Sequence, residues 1–344
     1  MVNFAGWELP VQYHSALEEH HAVRKRVGVF DVSHMGQLEL RGSDALRLAQ
    51  KVTCNSVAKL SDHQAQYSAF LSEQGTFLDD IVVYRFSSEH IFICVNAATR
   101  EKDFRWLRQQ QEGDVEIIDS SPRYAQIAIQ GPFAEPVLQR LTRFDLTKLK
   151  FYWFGQGEIG EAKSIISRTG YTGEDGFEIY LAPEYAEQIW RDLFEVGKEF
   201  DIMPAGLAAR NTLRLEMRYP LYGHDIDEFH TPYDAGLDWI VKEDGDFLGS
   251  AALLRQKQDG LEIKLAGFEV IGRGIARDGY RVCVDGTEFG AVTSGGYSPS
   301  LKRSIGMVYL PVEKAIIDQP IEIDVRGKLC RAVVVKTPFY KRPE

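Results

Sequence analysis

Apolar residues recur along this chain with two different periods. In residues 15–27, Leu17, Val23 and Val27 share one side of a helical wheel and Gly28 supplies a stop, so the spacing predicts a helix with a thin apolar stripe. Ser15 and Glu18 stand three apart, the layout of a capping box. Residues 36–40, 65–72, 77–86 and 90–95 read as strands. Glu73-Gln74-Gly75 and Ser87-Ser88-Glu89 separate the last three, which predicts an antiparallel meander with tight turns. Helical spacing returns at residues 97–110, with Phe104 and Leu107 on one face, and around 133–141, with a strand at 124–130 between them. Ile189, Leu193 and Val196 mark a helix over 185–200, and another is expected over 206–217. After about Gly260 the runs 265–270, 280–284, 305–310, 321–325 and 331–336 are short, β-rich and divided by Gly or Asp turns, as in a small barrel or jelly roll. Strands and helices mix without strict alternation, which predicts α+β with antiparallel sheets.

At 344 residues the chain exceeds one ordinary core, so two or three domains are expected. A hydrophobic content of 44%, with 11% aromatic, suits a soluble globular enzyme rather than a disordered chain. The 40 Lys and Arg against 50 Asp and Glu leave a formal charge of -10 and no basic run, which argues against nucleic acid as a partner. No run approaches the ~18 apolar residues of a membrane span, and the N-terminus lacks the layout of a signal peptide, so a cytoplasmic protein with no membrane association is expected. Cys54, Cys94, Cys283 and Cys330 show no CxxC spacing and read as free buried thiols. With no heptad or long apolar edge, the expectation is a monomer.

Several common chemistries lack their motifs. There is no GxxxxGK[ST] loop, no HExxH and no GxSxG, and Gly272-Arg273-Gly274 and Gly295-Gly296 lack a dinucleotide-site context. The histidines and acids of His224-Asp225-Ile226-Asp227-Glu228-Phe229-His230 are of types that gather metals, yet the segment follows a Tyr-Gly turn signal and reads as a polar loop; no metal is expected. What remains is polar residues where the hydrophobic pattern would not ask for them. Asp79 and Asp80 interrupt an apolar strand, and alternation would send them to opposite faces, unless the strand begins at Ile81 and both are solvated turn residues. Residues 167–178, SRTGYTGEDGFE, form a glycine-punctuated turn leading into a strand that carries Glu178, either a plain connection or a close backbone approach. Arg210 follows two alanines on a helix and is open to a surface ion pair or to a ligand.

The strings VNFAGW, FDVSHMG, LDDIVVY, SRTGYTGEDGFE, PAGLAAR, LYGHDIDE, TSGGYSPS and KTPFY run in this order from Val2 to Tyr340, and together they closely resemble the glycine cleavage T-protein family. The resemblance implies a three-domain cloverleaf around a central folate channel. Its first domain is a discontinuous folate-binding one (residues 1–29 plus 122–245), interrupted by an inserted α+β domain (30–121), and a C-terminal β-barrel or jelly-roll-like domain (246–344) follows. It further implies an aminomethyltransferase that moves the methylene of an aminomethyl-lipoyl group on H-protein to tetrahydrofolate and releases ammonia, with lipoylated H-protein as transient partner and no metal or nucleotide. Matched position by position, Asp80 falls on the catalytic aspartate, Glu178 on the acid that grips the pterin and Arg210 on the arginine of the folate site. Met35, Tyr67, Tyr84, Asn96 and Tyr171 fall on positions similar to those lining the channel, and Tyr340 on a tyrosine near the glutamyl tail.

The residue types suit those roles. A pterin presents an N–H and an amino group side by side, and one carboxylate accepts both. Transfer of the one-carbon unit passes through cationic character that a second carboxylate can stabilise while it orients or deprotonates the attacking nitrogen. A tetrahydrofolate-dependent demethylase of a small methylated substrate is the alternative on the same scaffold, and GYTGEDGFE and LYGHDIDE resemble the aminomethyltransferases more. A folate-linked iron–sulfur assembly relative would carry a Lys-Gly-Cys-Tyr-x-Gly-Gln motif, which is absent. Thr76, Asn211 and Lys302 depart from the family pattern of glycine, aspartate and glycine at those places.

Overall fold

In the computed structural model, which describes residues 1–242 and 245–342, three largely antiparallel sheets carry the architecture and a two-stranded hairpin, Val2–Phe4 with Trp7–Leu9, precedes them. Contacts divide the chain into two compact units. Met1–Phe70 and Asp79–Arg210 make up most of the first, and Leu71–Leu78 with residues 211–242 and 249–342 the second.

The first unit holds a six-stranded sheet in the order Phe154–Ile159, Ala162–Ser167, Gly176–Leu181, Ala125–Gln130, Gly28–Asp31, Met203–Pro204. Only its last pair is parallel. Alternation along Gly176–Leu181 decides what each face does. Phe177, Ile179 and Leu181 join Ile127 and Ile129 in a core with Val137, Leu138, Ile189 and Leu193, the inward residues of helices Ala134–Leu138 and Ala186–Val196. Glu178 and Tyr180, paired with Ala128 and Gln126 on the neighbouring strand, turn to the other face. There Tyr180, Phe154 and Ile165 pack against Tyr84, Phe92 and Cys94 of a five-stranded sheet. Polar groups on that covered face must find partners within it.

The five-stranded sheet runs Gln64–Leu71, Phe77–Ser87, His90–Val95, Gly36–Arg41, Glu116–Asp119, so the meander read from the turns is present. Helix Arg100–Gln109 is shorter than the expected 97–110, and Ala45–Val52 is a helix the pattern reading passed over. The helix expected over 133–141 shrinks to Ala134–Leu138. The capping box at Ser15 and Glu18 does not form: Ser15 makes no side-chain cap bond to helix Ala16–Lys25. The adjacent Glu19, fully buried, does the anchoring. Its carboxylate accepts from the backbone N–H of Tyr13 at 2.7 Å, of His14 at 2.8 Å and of Gly206 at 2.9 Å.

The second unit closes six strands into a barrel in the order Ile263–Val270, Arg303–Pro311, Thr287–Ser298, Arg281–Val284, Pro320–Val325, Lys328–Val335. Phe268, Val282, Val292, Val308, Leu310, Ile323 and Val334 fill it. Below it Arg214 and Asp225, both buried, pair at 2.6 Å, and Ser294 joins them by accepting from Arg214 and donating to Asp225. Among the described residues no helix is long and apolar enough to cross a membrane. All four cysteines are free, with Cys283 only partly covered.

Candidate functional site

The strand Phe77–Ser87 runs through both aspartates, so neither belongs to a turn. Phe77, Asp79, Ile81 and Val83 are buried while Leu78, Asp80 and Val82 keep partial exposure, which is the alternation expected of a strand with one sealed face. The register that pairs Val82 with Cys94 carries on past Val95 and sets Asn96 across from Asp80. Asn96 serves both acids. Its amide Nδ2 donates to Asp80 Oδ1 at 2.8 Å and to Asp79 Oδ1 at 2.9 Å, and its backbone N–H to Asp79 Oδ2 at 3.0 Å. Thr99 Oγ1 donates to Asp79 Oδ2 at 2.8 Å, and Tyr67 OH to Asp80 Oδ2 at 2.9 Å. Burial and then the charge of Asp79 push Asp80 up to about 7, against the pull of the Tyr67 and Asn96 hydrogen bonds. A carboxyl balanced near neutrality can both take and return a proton.

Glu178 is built in the opposite way. Oε1 accepts from Gln126 Nε2 at 3.0 Å and Oε2 from Thr169 Oγ1 at 2.6 Å. The Gln126 amide is itself oriented, because Gln37 Nε2 donates to its Oε1 at 3.1 Å. Its Nε2 also reaches Tyr180 OH at 3.3 Å, and Tyr180 OH meets Tyr84 OH at 2.9 Å. Each carboxylate oxygen keeps lone pairs for a further donor, so Glu178 is held as an acceptor pair aimed away from its supports. The glycine-punctuated turn makes this close approach feasible: Gly173 has φ +83°, and a Cβ on Gly176 would lie 2.3 Å from the Ile129 carbonyl oxygen. Arg24 pins the turn through Glu174 at 2.9 Å, both buried.

Arg210 lies on helix Leu207–Glu216 with its guanidinium 4.7 Å from the centre of the Tyr171 ring, a cation–π contact. Buried His34 faces this cation, and burial, then Arg210, lower its pKa to about 3, so the ring is neutral. Met35 packs on the cluster of Tyr84, Cys94 and Tyr180. Tyr67 lies against Asp80, and the Tyr171 hydroxyl lies near that of Tyr67. Of the residues singled out in the sequence, Asp80, Tyr67 and Asn96 thus meet directly, Arg210 meets Tyr171, and Glu178 connects through Gln126 and then Tyr180 to Tyr84, which is fully buried behind it. Tyr340 belongs to the other unit, where its backbone N–H donates to Glu216 O at 2.9 Å. The His224–His230 segment engages its acids otherwise: Asp225 with Arg214, Asp227 with His230 at 2.7 Å.

Residues 1–245 match the family model described as the GCVT N-terminal domain, and residues 264–341 match that of the glycine cleavage T-protein C-terminal barrel domain. The chain belongs to the glycine cleavage T-protein family. It is 46% identical over 344 residues to an aminomethyltransferase of Desulfitobacterium hafniense (strain Y51), covering 99% of this chain and 94% of that protein. An aminomethyltransferase of Koribacter versatilis (strain Ellin345) is 47% identical over 353 residues, covering 100% and 93%. Among solved structures, the glycine cleavage system aminomethyltransferase T from Bartonella henselae superposes with a TM-score of 0.93 at 32% identity, over 99% of this chain and 94% of that one.

The three departures from the T-protein pattern each have a local account. Thr76 closes its hairpin with Ser72, the two hydroxyls 2.8 Å apart, while Gly75 alone carries the positive φ of +80°. Asn211 Oδ1 accepts from Arg214 Nε at 2.8 Å, so it serves the buried ion pair of the second unit. Lys302 has φ +55°, the left-handed region where glycine costs nothing. Sequence reasoning passed over Gln126, Gln37, Thr169 and Asp103. Gln126 carried a legible signal, an amide inside the apolar run AQIAIQ; Gln37 alternates with Leu38 and Leu40 and reads as the outward residue of a strand, and Thr169 and Asp103 sit among polar neighbours that hide them.

Proposed function

We propose that the chain acts as the aminomethyltransferase of a glycine cleavage system, taking the methylene of an aminomethyl-lipoyl group on H-protein to tetrahydrofolate with release of ammonia. It is a one-carbon transferase by its relatives, which match nearly the whole chain and are aminomethyltransferases, and these favour aminomethyl transfer over demethylation. The observation that carries the mechanistic reading is the contrast between two carboxyls on neighbouring sheets: one locked as an acceptor pair, one balanced near neutrality.

Glu178 fits a pterin because two fixed acceptor oxygens answer two adjacent N–H donors, a charge-assisted bidentate contact. Tetrahydrofolate supplies the nitrogens that accept the one-carbon unit. Asp80 orients the attacking nitrogen, takes its proton and stabilises the positive charge that builds as ammonia leaves, work that suits a carboxyl near its midpoint at neutral pH. Tyr67 and Asn96 hold that carboxyl in one orientation, and Arg210, braced on Tyr171, offers a planar fork to a folate or substrate oxygen. Met35 and Tyr84 back the folate side, Tyr340 serves near the glutamyl tail, and the protein works as a cytoplasmic monomer.

The test is ammonia release from aminomethylated, lipoylated H-protein with and without tetrahydrofolate. The proposal requires tetrahydrofolate to accelerate release and to yield methylenetetrahydrofolate in equal amount. No transfer from H-protein, with turnover on a small methylated amine, sulfonium or aryl ether instead, would assign the chain to the demethylases.

A further inference from the structure

Asp103, on helix Arg100–Gln109, is fully buried, and neither of its carboxyl oxygens has an ordinary hydrogen-bond donor. A buried polar group in that state demands an explanation. What it meets is the carboxyl of Asp79. Two ionised carboxylates can only accept, so side by side in a sealed core they repel and leave each other unsatisfied. One proton shared between them removes the conflict. Its place follows from the surroundings: Asp79 is ringed by three donors, the Asn96 backbone N–H, Asn96 Nδ2 and Thr99 Oγ1 at 3.0, 2.9 and 2.8 Å, a set that favours the anion. Asp103 has no such set, and burial followed by the Asp79 charge push it up to about 10.

We infer that Asp103 is a positioning residue for Asp80: as a neutral acid it donates to Asp79, completes the single anion on which Asn96 is mounted, and through Asn96 holds Asp80. The inference rests on the reading of Asp80 as the reacting carboxylate. The pair then carries one negative charge across the neutral range, and that charge faces Asp80 and raises its proton affinity. The other groups facing these carboxyls are Lys102 and Thr99, which act against the protonation of Asp103, and Tyr67, with Tyr171 and Tyr152 beyond it, next to Asp80. Taking away the donor removes one of the hydrogen bonds that offset the desolvation of Asp79, so Asp79 holds a proton more readily, its charge is diminished, Asn96 is held less firmly and Asp80 moves to a lower midpoint.

The experiment is the pH profile of single-turnover methylenetetrahydrofolate formation from aminomethylated H-protein by wild type, Asp103→Leu, Asp103→Asn and Asp80→Asn. Asp103→Leu should be slower by about five- to tenfold, no more impaired than Asp79→Asn, with its midpoint lower by about half a pH unit or more. Asp103→Asn, whose amide still donates to Asp79, should bring the rate back to within about threefold of wild type and restore the midpoint. A wild-type rate and midpoint in Asp103→Leu would overturn the inference, as would an Asp103→Asn protein as impaired as Asp103→Leu. Should Asp103→Leu fail to fold, the infrared difference between wild type and Asp103→Asn at pH 8 decides: the C=O stretch of a protonated carboxyl is expected in wild type, and its absence contradicts the shared proton. Asp80→Asn separates the two readings. If it keeps the wild-type rate and profile, the assignment of Asp80 is at fault; if it is inactive while Asp103→Leu is normal, only the role of Asp103 fails.

Discussion

Asp80 is a residue whose environment works against its charge, and that conflict has a thermodynamic signature apart from catalysis. Its folded pKa, about 7, lies above the ordinary carboxylate value, so between roughly pH 4 and 7 the folded state binds more protons than the unfolded one. Stability from this group is therefore present at low pH and is lost as pH rises through 7. Asp80→Asn, which keeps the shape and deletes the charge, should melt higher than wild type at pH 8, with the difference shrinking toward pH 5; differential scanning at the two pH values checks it, and a variant that melts lower at pH 8 would contradict the raised pKa. Glu178 makes a different prediction. Glu178→Ala should lose about 2–3 kcal/mol of tetrahydrofolate affinity through the missing bidentate acceptor, measured by titration calorimetry. Part of this was legible in the chain, because two acids in an apolar strand and a glycine-rich run before a glutamate break the hydrophobic pattern. Asp103 was not, since an aspartate among Arg, Glu and Lys reads as one more solvated helix residue until the helix is seen to turn it inward.

At the scale of elements, the meander and most barrel strands followed from period-two runs and their turns, whereas Thr287–Ser298 did not. That strand carries Gly290, Gly295 and Gly296 and a register shift between Val292 and Ser294, so close backbone approach and a bulge replaced the apolar alternation that marks a strand. Ser15 and Glu18 misled because spacing alone cannot tell which of two consecutive glutamates faces the interior; packing chose Glu19. Two predictions belong here. Asp225→Ala would leave Arg214 buried without its counter-charge and should destabilise the protein by about 3–5 kcal/mol in urea. Lys302→Gly relieves a left-handed backbone and should be neutral or stabilising by up to about 1 kcal/mol, because the relief outweighs or balances the added freedom of the unfolded chain. A clear loss of stability in Lys302→Gly would mean that the lysine side chain holds the turn.

For the molecule as a whole, reduced folate that binds only the folded state adds stability by mass action, about 2.7 kcal/mol at a hundredfold excess over Kd, so saturating tetrahydrofolate should raise Tm by several degrees. The central claim is narrower: of two adjacent acids on one strand, Asp80 does the chemistry and Asp79 supports it. Single-turnover methylenetetrahydrofolate formation from aminomethylated H-protein, run with Asp80→Asn, Asp79→Asn and wild type alongside tetrahydrofolate binding, tests it most directly. Asp80→Asn should be slower by a factor of about 100 or more with folate affinity little changed, an effect of roughly 3 kcal/mol on the barrier, while Asp79→Asn stays within about tenfold of wild type. Equal rates for Asp80→Asn and wild type, or a larger loss in Asp79→Asn than in Asp80→Asn, would contradict the account.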